Sequence, residues 1–406
     1  MTAPPTRAVI AALEAAGGAG CARFVGGCVR NALLKRPIDD IDIATTLTPD
    51  QVTKALRNAG LKAAPTGVDH GTVTAIAQGR PFEVTTLRRD VETDGRRAVV
   101  AFTNEWAEDA QRRDFRLNAL YADPNGKLYD PTAGGLADAR AGRVVFVGEP
   151  DARIREDALR ILRFFRFHAW YGQGEPDAAG LAACASLREL ARNLSAERVW
   201  AELKKLLTAE DPRAAVRLMA QTGVLAVVLP ESRGLERFER LVGIETEMLF
   251  TEDALLRLAA LLPDEPAVAA PLAARLRLSN AERDRLIAAL TPEPRLVSYL
   301  SPKETRRLVY RMGASAFCDR VTLAWAASDR PAATTQWRAL LPTAQGWTPP
   351  SFPLTGEEVM AAGVPKGPLV GEVMREVEAW WIDNDFPTDK LALIERLKAV
   401  AQGLAY

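Results

Sequence analysis

The sequence predicts an α+β fold, with a small mixed sheet confined to roughly the first 148 residues and an all-helical remainder. Short β-branched runs bounded by glycine turns cluster before about residue 150. Beyond Asp151, apolar residues recur with a period near 3.6. At 406 residues the chain is also too long for one ordinary core, so several packed units are expected.

Strands are expected at "ARFVGG" (Ala22 to Gly27), "IDIATTL" (Ile41 to Leu47), "GTVTAIA" (Gly71 to Ala77), "PFEVTTL" (Pro81 to Leu87) and "LNALYAD" (Leu117 to Asp123). "EDALRILRFFRFHAWY" then reads as one helix with Leu159, Leu162 and Phe165 on a shared face. In "LSAERVWAELKKLL" Ser195 is the expected N-cap, with Glu197 in the first turn where the helix dipole favours it. Ser279 followed three residues later by Glu282 predicts a capping box. Pro- and Gly-containing stretches at 172–176, 263–271, 291–294 and 345–353 punctuate the helical part.

An apolar fraction of 48% and a charged fraction of 26% are those of a globular protein. No apolar run approaches the roughly 18 residues that cross a bilayer, so no membrane span is expected. "MTAPPTRAVIAALEAAGG" has no apolar core of signal-peptide type, which predicts a cytoplasmic location. The four cysteines, Cys21, Cys28, Cys184 and Cys318, lack C-x-x-C spacing, which argues against a zinc site or disulfide framework and for reduced, partly buried thiols. With 52 basic and 52 acidic residues, any nucleic-acid contact must use a local patch. Only His70 and His168 occur, which excludes His-rich metal sites and leaves acid chemistry to Asp and Glu.

The chemistry starts at "RPIDDIDIATTL". On a strand, Asp40 and Asp42 would face one side, roughly 6.6 Å apart, and repel by about 2.5 kcal/mol at an effective dielectric near 20. A cation turns that cost into a site, and carboxylates of this kind suit Mg²⁺. A lone D-x-D is more often a solvated strand edge. Upstream, however, "FVGGCVRNALL" supplies a Gly26-Gly27 turn into a helix, whose free N–H groups bind phosphate, with Arg30 one turn in. Phosphate turn, helix and paired aspartates within 20 residues make a site for a metal-bound triphosphate. Glu83 alternates in facing with Phe82 and Val84 and is the candidate third acid. Arg112, Arg113, Asp114 and Asn118 follow, the Arg forks suiting phosphate and Asp or Asn a ribose hydroxyl, with a surface salt-bridge cluster as the alternative.

Those segments, with "HGTVTA", "DPTAGGLADARAGRVVFVG" and "EDALRILRFFRF", resemble the tRNA nucleotidyltransferases. These are CCA-adding enzymes of the DNA polymerase β superfamily, in the class that also holds bacterial poly(A) polymerases. The resemblance runs in order from about residue 20 to 207, and "PLTGEEVMAAGVPKGPLVGEVM" resembles a tail segment of bacterial members. It implies a nucleotidyltransferase head (1–148), a helical neck carrying a base template (149–207), a body (208–295) and a tRNA-binding tail (296–406). It further implies that Asp40 and Asp42 hold two Mg²⁺ ions and that Gly27 and Arg30 touch nucleotide phosphates. Arg112 or Arg113, with Asp114, would serve triphosphate and ribose.

The resemblance makes Asp157 and Arg160 the template for the incoming base, with Arg163 and Arg166 nearby. An Arg donor beside an Asp acceptor fits the pairing edges of cytosine and adenine, while guanine and uracil would leave buried groups unpaired. As i, i+3 neighbours on one helix, the two would form a single edge. "RRDVETDGRRAVVAFTNEWAEDA" resembles the flexible loop with which CCA-adding enzymes switch from CTP to ATP. The implied partners are CTP, ATP and the acceptor end and elbow of tRNA, with no DNA or membrane. Two positions depart from the family pattern: Asn31, where Asp is usual, and Arg116, where Thr is usual. Addition of A alone, poly(A) synthesis and an inactive RNA-binding homologue stay open as alternatives. In the tail, Lys366 could hold an RNA phosphate, and Val370, Val373, Val377 and Trp380 read as an inward stripe.

Overall fold

The β-branched runs pair into a seven-stranded mixed sheet in a computed structural model that describes residues 1–67, 71–94, 97–329 and 333–403. The chain divides into two units, one of residues 1–232 with 251–254 and 275–277, the other of 233–250, 255–274 and 278–406. His70 lies outside the described residues.

The first unit runs α1 (Pro4–Gly17), β1 (Ala22–Val25), α2 (Gly27–Leu33), β2 (Asp42–Thr45), α3 (Pro49–Asn58), β3 (Lys62–Gly67), β4 (Thr72–Ala77), β5 (Arg80–Thr86), β6 (Arg88–Asp94), β7 (Arg97–Phe102), α4 (Trp106–Gln111), β8 (Tyr121–Ala122) and β9 (Leu128–Tyr129). Helices α5 (Gly135–Ala141), α6 (Pro150–Glu156), α7 (Leu159–Tyr171), α8 (Ala178–Ser186), α9 (Ala196–Leu207), α10 (Arg213–Gln221) and α11 (Val224–Val228) follow. The sheet order is β3-β4-β5-β2-β1-β8-β9, parallel at β2/β5 and antiparallel elsewhere. Alternation holds where one face meets helices: Val73, Ala75 and Ala77 of β4 are buried beneath α1 and α3.

One local expectation needs correction, and two segments take forms that the sequence reading did not assign. "LNALYAD" is a strand only at Tyr121–Ala122, because Arg116–Asn118 closes a 3₁₀ turn. "KAAPTG" is a strand despite Pro65, since it is the sheet edge, where a bulge between Ala64 and Gly67 accommodates a missing donor. The described part of the segment that resembles the family's flexible loop pairs as the antiparallel hairpin β6-β7 and runs on into α4.

A further correction bears on the site. The expected single helix from residue 156 to 171 is broken at Asp157, whose extended backbone (φ −151°, ψ 105°) separates α6 from α7. The Asp157 Oδ1 accepts the Leu159 N–H at 3.1 Å, so the side chain restarts the helix as a capping residue does.

The second unit is helical: α12 (Glu236–Met248), α13 (Ala254–Ala260), α14 (Pro266–Leu276), α15 (Asn280–Ala289), α16 (Pro302–Met312), α17 (Ala314–Ala327), α18 (Thr334–Gly346), α19 (Gly356–Ala361), α20 (Pro368–Asp383) and α21 (Lys390–Gly403). One core gathers Phe317, Val321, Trp325 and Trp337, and another Val373, Val377 and Trp381. The inward stripe of α20 is therefore core, centred on Trp381 where Trp380 was expected, and Lys366 is exposed. No helix among the described residues is long and apolar enough to cross a membrane. The capping box at Ser279 is formed in both directions, its Oγ accepting the Glu282 N–H and the Glu282 carboxylate accepting the Ser279 N–H. Ser279→Ala should cost about 1 kcal/mol in a denaturant titration.

Candidate active site

The turn between β1 and α2 is built on Gly26, whose φ of +69° and ψ of −124° no ordinary L-residue adopts readily. A Cβ there would stand 3.6 Å from Arg113 Nη1, so the guanidinium lies against the turn. The neighbouring strands bring the acids alongside. Asp42 opens β2 and is in register with Glu83 on the parallel β5. Asp40 falls two residues before the strand begins, on the exposed lead-in rather than on the strand.

Electrostatics show that these carboxylates feel one another. Burial pushes the Asp42 carboxyl above its ordinary pKa, Glu83 and Asp40 push it further, and Arg113 opposes them. The ionised site is therefore frustrated without a cation. Among the described residues no three Asp, Glu, His or Cys side chains are close enough together to hold an ion by themselves. The donor set nonetheless fits a hard divalent ion, since Asp42 with Asp40 or Glu83 offers only oxygen and such ions complete their shells with water and phosphate.

The arginines expected at the phosphates have internal partners that the sequence reading missed. Asp109, 1% exposed, accepts Arg112 Nε at 2.9 Å on Oδ1, and Arg113 Nη2 at 3.0 Å and the Tyr121 hydroxyl at 2.7 Å on Oδ2. The i, i+3 and i, i+4 spacing from Asp109 was the available signal. Burial alone would raise the Asp109 pKa, but Arg113, Arg112 and the Tyr121 hydroxyl hold it down at about 2.

Asp114 and Asn118 are likewise interior. Asp114 accepts the Phe115 N–H at 2.8 Å, Asn118 Nδ2 at 3.0 Å and Arg163 Nε at 2.8 Å, and these bonds outweigh burial to hold its carboxyl at about 2. Asn118 Oδ1 in turn accepts from Arg30, which is buried with its guanidinium 4.0 Å from the Tyr171 ring centroid. Arg163 and Arg166 both reach Glu202 on α9, the latter at 3.0 Å. Glu202 sits among the apolar positions Val199, Leu203 and Leu206, where a carboxylate requires a cationic partner.

Asp157 and Arg160 do not share a helix: the Asp157 carbonyl accepts the Arg160 N–H at 3.0 Å across the break, and no contact between their side chains is described. Arg198 donates to Asp157 Oδ2 at 2.7 Å, while Arg160 Nη1 reaches Glu156 Oε2 at 2.6 Å and the Arg153 carbonyl at 2.7 Å. Arg116 lies 3.9 Å from Asp138, and His168 is core, burial lowering its pKa. All four cysteines are free thiols.

The depressed Asp109 and Asp114 make an acid limb predictable. A carboxyl held near 2, against 3.8 when unperturbed, contributes stability that is complete above the unfolded value and is lost as pH falls through the folded one. Each pair should lose about 1 kcal/mol by pH 3 and about 2 kcal/mol by pH 2. Thermal melts from pH 5 to pH 2.5 should fall steeply below pH 4; a flat profile would contradict this.

Comparison with known proteins gives the same identity. The Poly A polymerase head domain matches residues 22–145, and the probable RNA and SrmB-binding site of polymerase A matches residues 176–234. The mitochondrial CCA tRNA nucleotidyltransferase 1 of Mus musculus is 33% identical over 93% of this chain and 86% of its own. The CCA-adding enzyme of Lacticaseibacillus paracasei is 32% identical over 97% of this chain and 96% of its own. The crystal structure of the Bacillus stearothermophilus CCA-adding enzyme in complex with CTP superposes with a TM-score of 0.77 at 27% identity, covering 99% of this chain and all of that one. Similarity of this extent, end to end and in the order of the motifs, places the chain in the family of CCA-adding tRNA nucleotidyltransferases.

Proposed function

We propose that this protein completes tRNA 3′ ends, transferring CMP and AMP from CTP and ATP to the terminal hydroxyl with release of pyrophosphate. The observation that carries the mechanism is the register pair Asp42–Glu83 beside the Gly26-Gly27 turn, with Arg113 against that turn. Asp40 and Asp42 are the proposed holders of two Mg²⁺ ions. Held by these two carboxylates, such ions would supply Lewis-acid stabilisation of the negative charge that develops during phosphoryl transfer.

The chain's own residues do the rest. Backbone N–H groups at the start of α2 receive phosphate oxygens, and Gly26, the residue that the positive φ of the turn calls for, leaves the approach clear of a Cβ. Arg113, fixed by Asp109 and Tyr121, holds a positive charge at the turn. Asp157 and Arg160 offer an acceptor and a donor for the pairing edge of cytosine or adenine. Because Arg198 and Glu156 occupy them in the described contacts, base selection requires that these ion pairs be exchanged or shared. The proposed division assigns the head to residues 1–148, the neck to 149–207, the body to 208–295 and the tail to 296–406, with the helical parts gripping the tRNA elbow in the cytoplasm.

Purified protein with Mg²⁺ should be given tRNA transcripts ending before CCA, after C and after CC, with each nucleotide singly and with CTP and ATP together. Growth that halts at CCA is expected. A ladder of A would identify a poly(A) polymerase, action on CC ends alone an A-adding enzyme, and no addition an inactive RNA-binding homologue.

A further inference from the structure

The segment from Arg36 to Ile41 delivers Asp40 and leads directly into Asp42, so whatever fixes it places the metal-facing carboxylates. Asn31 ties its start at two points. The Asn31 carbonyl accepts the Arg36 N–H at 2.8 Å, and Asn31 Nδ2 donates to the Pro37 carbonyl at 2.7 Å. Proline has no N–H, so this carbonyl is the only main-chain hydrogen-bonding group that Pro37 offers.

The other end of the Asn31 amide faces cations and a hydroxyl. Its Oδ1 accepts Arg30 Nη2 at 3.0 Å, Arg30 Nε at 3.2 Å and the Tyr171 hydroxyl at 3.1 Å. The network sets the orientation of the amide. Turned over, it would aim N–H groups at a guanidinium and an oxygen at a carbonyl. In this chain's arrangement, a side chain that accepts on one side and donates on the other satisfies both neighbours. Aspartate satisfies the Arg30 side better but places a negative oxygen against the Pro37 carbonyl.

We propose that Asn31 is a positioning residue for the metal-binding carboxylates, clamping the Asp40 lead-in segment to the Arg30–Tyr171 pair and so coupling metal affinity to the C-terminal end of α7. This rests on the function proposed above. Side chains that orient metal ligands from outside the coordination shell typically change metal affinity by about 10–100-fold when altered.

The test compares Asn31→Asp and Asn31→Ala with wild type. In N31D, half-saturating Mg²⁺ for CMP addition should rise about 10-fold, with KM for CTP at saturating Mg²⁺ within about twofold of wild type. Mn²⁺ titrated calorimetrically into nucleotide-free protein should bind more weakly by a similar factor, while N31D melts no lower than wild type because its pairing with Arg30 is retained. N31A should show the same metal defect and a lower melting temperature. Wild-type Mg²⁺ dependence and Mn²⁺ affinity in N31D would overturn the proposal, as would a variant whose melting temperature alone changes. If wild-type protein adds no nucleotide at all, the functional reading fails, and the Mn²⁺ titration still decides whether Asn31 acts on the carboxylates.

Discussion

Asp42→Asn should reduce nucleotide addition by about 10³-fold or more, since under the proposed mechanism it removes one carboxylate from the ion's shell and forfeits several kcal/mol of transition-state charge stabilisation. The same substitution should leave the Mg²⁺-free protein at least as stable as wild type at pH 7. The reason is the sign of the Asp42 shift. Burial first, then Glu83 and Asp40, raise its folded pKa, so the ionised group opposes folding at every pH above its unfolded value, and an amide removes that opposition. Single-turnover CMP addition and a thermal melt in chelator decide the matter together. An inactive and destabilised variant would instead mean that Asp42 is a structural strut.

The second large effect belongs to Asp109, which binds no substrate in the proposed mechanism. Asp109→Ala strands the Arg113 guanidinium and the Tyr121 hydroxyl in the interior, and losing one partner of a buried pair costs roughly 3–5 kcal/mol. For a unit of this size that corresponds to a fall in Tm of roughly 10 °C. Where the protein still folds, KM for CTP should rise, because Arg113 loses the carboxylate that holds it against Gly26. Asp109→Asn, which keeps an acceptor, should be milder on both counts. Equal melting temperatures for wild type and the alanine variant would remove the electrostatic account of this cluster.

How much of this was legible from residues alone depends on distance along the chain. The Gly26-Gly27 turn, the alternation of β4 and the capping box at Ser279 are written in short windows, and each appears in the structure where the sequence placed it. The facing of Glu83 was legible too, and register with Asp42 realises it. The break at Asp157 was not, because the apolar period runs through it with neither Gly nor Pro to mark it. Only the taste of Asp for capping the next turn betrays it. The interior fates of Arg30, Arg163 and Arg166 were equally hidden, since their partners Asn118, Asp114 and Glu202 stand some 36 to 88 residues away and only folding brings them near. A basic residue near a phosphate motif reads as a ligand until its internal acceptor is seen.

The strand order also sets a timetable. β3, β4 and β5 are sequential neighbours and can pair as soon as they exist, but the Asp42–Glu83 register requires a parallel pairing across some 40 residues. The far side of β1 stays an open edge until Tyr121 and Ala122 arrive. During synthesis at about 5–20 residues per second, the half-built sheet therefore waits several seconds with a bare strand beside its acidic centre. That interval is when this protein is most exposed to wrong partners, and a pause in translation just before residue 121 should harm its yield more than one placed after β9.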